Sequence, residues 1–133
     1  MHIPSLRVLV VDDYCDVADF LSEALGFHNI HARPAYGGAE ALQLVHAFRP
    51  DALLLDLGML NIDGFDVAAA MHGRGDCPWL VALSAWDDPA TRARTRAAGF
   101  GVHLPKPSSI DTIVSALRGR PAGSADIRPA YVS

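Results

Sequence analysis

The feature that most restricts the fold is an aliphatic run that halts at a carboxylate, RVLVVD at Arg7–Asp12, and returns as ALLLD at Ala52–Asp56. A run apolar at nearly every position, not every second one, belongs to a strand buried on both faces. That environment is the interior of a parallel sheet covered by helices on each side. Three more strand-like runs follow the same rhythm: Ile30–Tyr36, Trp79–Ser84 and Val102–Leu104. The stretches between them carry helical signals. Val17, Phe20, Leu21, Ala24 and Leu25 form an apolar stripe ending at Gly26, and Ala41, Leu42, Val45 and Phe48 form another between Gly38 and Pro50. A short helix is predicted from Gly64 to Met71, closed by Gly73 and Gly75. Asp88 and Pro89 read as the N-cap and first position of a fourth helix stopped by Gly99, with an inward face made mostly of alanine. Ile110, Ile113, Val114 and Leu117 mark a fifth, capped by Ser108 or Ser109.

Strand and helix alternating five times predict an α/β fold, a doubly wound parallel sheet of flavodoxin-like (βα)5 topology. Pro34 has no amide to give to a ladder, so the second strand is expected at an edge, which leaves strand one beside strand three. The full expected strand order is 2-1-3-4-5.

A chain of 133 residues holds one ordinary domain, and a half-apolar composition with a fifth charged residues allows it a packed core. The expected boundaries are an ordered domain over 1–119 and a flexible tail or linker over 120–133, where Pro, Gly, Ser and Ala take over. No apolar run reaches the roughly 18 residues of a membrane span, and Met1 to Arg7 lacks the blocks of a signal peptide, so a cytoplasmic location is expected with no membrane partner. Cys15 and Cys77 belong to no CxxC pair and read as free thiols. A net charge of −4 gives no basic footprint for direct nucleic-acid binding.

The chemistry follows from where polar residues interrupt the pattern. Ligands of open α/β sheets bind outside the carboxyl ends of the strands. Asp12 and Asp13 end strand one, Asp56 ends strand three, Ser84 ends strand four, and Lys106, the only lysine, follows strand five between two prolines. With strands one and three adjacent, three carboxylates converge, and such a cluster calls for a hard divalent cation with oxygen ligands. Mg²⁺ suits it. Lys106 and Ser84 would then supply a charge and a hydroxyl to the oxygens of a transferred phosphoryl group. Taken singly, Asp12 and Asp13 also read as helix caps, and Ser84 as an ordinary strand end.

The segments VLVVDD, ALLLDLGMLNIDGFD, ALSA and LPKP stand in the order and spacing of the response-regulator receiver domain, which this chain resembles from about Leu6 to Leu117. The resemblance implies that Asp56 is the phosphoacceptor. It also implies that Asp13 binds Mg²⁺ directly, that Asp12 helps to hold it, and that Asp56 and the backbone carbonyl of Gly58 complete the protein ligands. Ser84 resembles the hydroxyl that moves toward the phosphoryl group, Lys106 the lysine that pairs with it, and the Lys106–Pro107 bond a cis peptide. His103 takes the place of an aromatic switch residue, and Leu60 stands where the family usually has proline. The implied role is a phosphoacceptor signalling domain, not an enzyme. Its phosphoryl donor would be a phosphohistidine on a sensor histidine kinase or a histidine phosphotransfer protein. The fourth helix and the strand bearing His103 would form the surface that a downstream protein reads, and a homodimer is compatible with this.

Other readings are weaker. A nucleotide-binding enzyme of the same topology needs a glycine-rich or hydroxyl-rich loop after strand one, where this chain has carboxylates. His28 and His31 lack two further ligands for a metal site. Arg92, Arg94 and Arg96 read as a solvated helix face. A constitutive interaction domain that keeps the fold without the phosphorylation switch is the alternative, with Leu60 as the feature in its favour.

Overall fold

The computed structural model describes residues 5–120, and the tail expected over 120–133 falls, apart from Arg120, outside them. Five strands and five helices alternate: β1 Leu6–Val11, α1 Cys15–Gly26, β2 Ile30–Ala35, α2 Gly38–Phe48, β3 Ala52–Asp56, α3 Gly64–Gly73, β4 Trp79–Ser84, α4 Pro89–Ala97, β5 Val102–Pro105 and α5 Ile110–Arg118. All strand pairs are parallel, and the order is β2-β1-β3-β4-β5. This is the doubly wound sheet expected, with Pro34 on the edge strand.

Successive residues of β1 and β3 feed opposite cores, which explains why Val8–Val11 and Ala52–Leu55 are apolar at every position. Leu9, Val11, Leu53 and Leu55 pack with Val45 and Phe48 of α2 and Val67 and Met71 of α3. Val8, Val10 and Leu54 pack on the other side with Leu21 and Leu25 of α1 and Ile113 and Leu117 of α5. Each fully buried leucine contributes roughly 1.5–3 kcal/mol, so the central strands are the rigid floor on which everything else is mounted.

Two expectations fail. The inward stripe of α1 is Ala18, Leu21 and Leu25, while Phe20 is 62% exposed. At 3.6 residues per turn Phe20 sits about 200° around the helix from Ala18, outside an arc that faces only one side of the sheet. The inward face of α4 is not alanine either. Its one buried residue is Thr95, and Ala90, Ala93 and Ala97 are exposed. Helix termini otherwise follow their signals. Asp88 caps α4, Ser109 caps α5, and Gly99 takes the positive φ of +90° after α4. The end of α2 differs in using a non-glycine residue, Arg49, at φ +54° ahead of Pro50. Asp63 and Asp66 form a reciprocal capping box on α3 that anchors the loop after β3.

Candidate functional site

The carboxyl ends of β1, β3 and β4 lie side by side, so their terminal polar residues share one crevice. Asp12 is fully buried, Asp56 nearly so, and Asp13 half-buried. One oxygen from each of the three lies within 4.8 Å of the others. Lys106 reaches into the group from the loop after β5, its Nζ 3.4 Å from Asp12 Oδ2 and 3.3 Å from Asp56 Oδ1. The ammonium thus bridges two carboxylates that would otherwise repel.

Each side chain is held from behind by backbone. Asp12 Oδ1 accepts the Tyr14 amide at 2.9 Å, Asp56 Oδ1 accepts the Gly58 amide at 3.1 Å, and Asp13 Oδ2 accepts the Leu60 amide at 3.0 Å. Neither Asp12 nor Asp13 caps α1, whose N-cap position is Tyr14 with no side-chain hydrogen bond. That leaves both carboxylates aimed at the crevice. Burial pushes the Asp12 carboxyl above the usual carboxylate range and the neighbouring Asp56 adds to this. The Tyr14 amide and Lys106 act in the opposite direction.

Ser84 ends β4, fully buried, and its carbonyl accepts the Lys106 amide at 2.9 Å. Its hydroxyl oxygen accepts the Trp86 amide at 2.9 Å. The Lys106–Pro107 peptide is cis, as the resemblance implies. His103 lies on β5 one element away from the carboxylates, with Nδ1 3.0 Å from Thr95 Oγ1 and Nε2 3.2 Å from the Trp86 carbonyl. Leu60, where proline was expected, is 77% exposed, yet its amide ties the loop to Asp13.

Three contributors carried no sequence signal strong enough to single them out. Trp86 lays its indole across Gly58, where an added Cβ would stand 3.3 Å from the ring. An exposed tryptophan two residues past Ser84, in an otherwise polar loop, was the available hint. Thr95 and the capping box of Asp63 are the others. Beside the carboxylates a cleft of about 480 Å³ opens between the β3–α3 loop and α4, lined by Gly58, Met59, Asp63, Phe65, Trp86 and Arg94. Arg94 stacks 3.8 Å over the Phe65 ring and Arg92 pairs with Asp87, so the arginines of α4 are not a uniformly solvated face. His28 and His31 take no part in a metal-ligating group among the described residues. His31 instead bonds Arg7 and packs edge-on against Phe48.

Residues 8–118 match the profile of the response regulator receiver domain. The chain belongs to the response-regulator receiver family. It is similar to the response regulator MprA of Mycobacterium tuberculosis, 36% identical over 114 residues that make up 86% of this chain and 50% of that protein. The chain therefore spans about half the length of the curated relatives it matches. Among solved structures it resembles the receiver domain of the Francisella response regulator 1452, with TM-score 0.81, 26% identity, and 86% and 94% of the two chains covered. A response regulator from Burkholderia pseudomallei, solved with a phosphorylated aspartic acid, calcium ion and citrate, aligns with TM-score 0.79 and 25% identity over 86% of this chain and 68% of that one. As a receiver domain of a two-component response regulator the chain is a signalling domain. No helix among the described residues is long and apolar enough to cross a membrane.

Proposed function

We propose that Asp56 accepts a phosphoryl group in a Mg²⁺-dependent reaction and that this receiver spans 1–119, with 120–133 a linker or tail. One observation carries the reading. Three carboxylates meet within 4.8 Å at the strand ends, with the lone lysine between two of them. An all-oxygen donor set of this spacing fits a hard divalent ion held by Asp12, Asp13, Asp56 and the Gly58 carbonyl. When bound, that ion withdraws charge from the phosphoryl oxygens. The phosphorylated aspartate and calcium of the Burkholderia relative support the same assignment here.

The remaining work falls to the chain itself. An Asp56 oxygen attacks phosphorus, the bond from phosphorus to a donor histidine nitrogen breaks, and the electron pair leaves with the imidazole. Burial of Asp12 and Asp56 keeps bulk water from competing at that oxygen. Lys106 moves from its bridge between carboxylates to the new phosphoryl oxygens, and Ser84 turns its hydroxyl toward them at the cost of its bond from the Trp86 amide. Release of Trp86 loosens the carbonyl that His103 holds, so Ser84 and His103 pass the change to the α4 and β5 surface. Response regulators work with histidine kinases and downstream targets, and the donor here is a phosphohistidine on a sensor kinase or phosphotransfer protein in the cytoplasm. The same α4–β5 surface serves a target protein or a second copy of the chain.

Incubation with acetyl phosphate and Mg²⁺ followed by intact mass tests this. A phosphoryl adduct is expected on the wild type and none on Asp56→Asn or in excess chelator. No adduct on the wild type would transfer the assignment to a constitutive interaction domain of the same fold.

A further inference from the structure

The way α4 is attached leads to a device that the phosphoryl site does not account for. Helices of a doubly wound sheet are normally held by an apolar stripe, but the one buried residue of α4 is Thr95, 2% exposed. Thr95 Oγ1 donates to the Arg92 carbonyl at 3.0 Å and lies 3.0 Å from His103 Nδ1. The other ring nitrogen, Nε2, lies 3.2 Å from the Trp86 carbonyl in the β4–α4 loop. His103 thus joins β5 to both ends of the segment that must rearrange.

Counting hydrogens shows what this requires. A carbonyl only accepts, so Nε2 must carry a proton to bond Trp86. A hydroxyl has one hydrogen, and if Thr95 gives it to Arg92, Nδ1 must carry a proton as well. Only the imidazolium makes all three bonds. The neutral ring keeps its proton on Nε2, turns Nδ1 into an acceptor, and draws the Thr95 hydroxyl away from Arg92. Protonation therefore restores the Thr95 bond to the Arg92 carbonyl inside α4 and makes both bonds from the β5 ring charge-assisted.

We propose that His103 is a proton-operated latch, its imidazolium clamping α4 and the β4–α4 loop to β5 and its neutral form loosening them. Around it, α4 presents Arg92 and Arg96, which with His103 line a second cleft of about 490 Å³, and the loop presents Asp87, which pairs with Arg92 at 2.5 Å. From β4 the cleft receives the uncharged Trp79, and from β5 and the turn before it Phe100, Gly101 and Val102. With Arg92 neutralised by Asp87, Arg96 is the cation left to oppose the charged ring. The latch stands on this geometry alone. Only its consequence, that acid conditions hold the receiver in its resting arrangement, rests on phosphorylation of Asp56.

The test uses the unphosphorylated chain without Mg²⁺, so its failure and that of the phosphoacceptor assignment are separable. Long-range ¹H–¹⁵N spectra of the His103 ring should show two protonated nitrogens near about pH 5.5 and a single Nε2–H tautomer near about pH 8. Amide exchange across 91–97, corrected for intrinsic rates, should be about 2- to 10-fold slower at the lower pH, the worth of one hydrogen bond. His103→Gln, which can bond but not titrate over this range, should abolish the difference, and His103→Phe should do so at faster exchange throughout. A ring that stays in one protonation state across the range overturns the latch. So does an Nδ1–H neutral tautomer, or a pH dependence of α4 that survives in His103→Gln.

Discussion

At the scale of single residues the crevice is a place where stability is given up. Asp12 is a carboxyl group with almost no exposed surface, and its neighbours include a second buried carboxylate. Lys106 compensates in part from a half-buried position. Asp12→Asn keeps the acceptor for the Tyr14 amide and removes the charge. In chelator at neutral pH this variant should therefore unfold at higher urea concentration than the wild type, by about 0.5–2 kcal/mol, the usual scale for relieving a functional site of its strain. The sign with pH follows from the raised carboxyl. Above its folded-state value the wild type carries the penalty, and as pH falls toward the ordinary 3.8 Asp12 protonates in the fold and the gap between the two proteins closes. With saturating Mg²⁺ the order should invert, since the ion stabilises only a chain that binds it. A variant less stable than the wild type in chelator would mean that the Lys106 bridge outweighs the burial.

At the scale of elements, the loop between β3 and α3 sets where Asp56 points. Gly64 opens α3 against that strand end so closely that an added Cβ would stand 2.9 Å from the Leu57 side chain, 3.0 Å from the Asp56 carbonyl and 3.1 Å from Leu57 Cα. Two of these are backbone atoms that cannot rotate away. Gly64→Ala should cost about 1–3 kcal/mol in chemical denaturation and slow acetyl-phosphate labelling of Asp56, whereas an unchanged labelling rate would show that the loop repositions freely. The sequence made such strand ends easy to find. β3 and β4 run over the very residues their aliphatic runs mark, because burial on both faces leaves no position free to be polar. Asp12, Asp13 and Asp56 were legible for a related reason, that a charge ending such a run must be used or compensated, and Lys106 because it is the only lysine and stands between two prolines. Phe20 and α4 were not legible. Phe20 lies one step off an apolar stripe that spacing alone cannot orient, and α4 is anchored through Thr95, a polar residue whose partner His103 comes from another element. Contacts of that kind, like the indole of Trp86 over Gly58, have no period for a sequence to display.

At the scale of the whole molecule, rigidity is distributed unevenly in a way that suits a switch. β1 and β3 are buried on both sides and pair with strands on both edges, so they exchange only by deep opening. The segment from Trp86 to His103 has the opposite character. Its helix buries Thr95 alone and its loop exposes Trp86, which meets the crevice through its amide on Ser84 and its indole over Gly58 and is tied to β5 by its carbonyl on His103. On the proposed function, a phosphoryl group on Asp56 that draws the Ser84 hydroxyl toward it pulls on the first of these links, and this weakly packed segment absorbs the change. Beryllofluoride with Mg²⁺, a mimic of the phosphoryl group, should accordingly alter hydrogen exchange across 86–103 while the amides of β1 and β3 keep their protection. Thr95→Val, which removes the hydroxyl and preserves the shape, should raise exchange in the same segment before any mimic is added and shrink the further change on adding it. Unaltered exchange across 86–103 with the mimic bound, or a change spread evenly through the sheet, would separate the crevice from this surface and require a different output route.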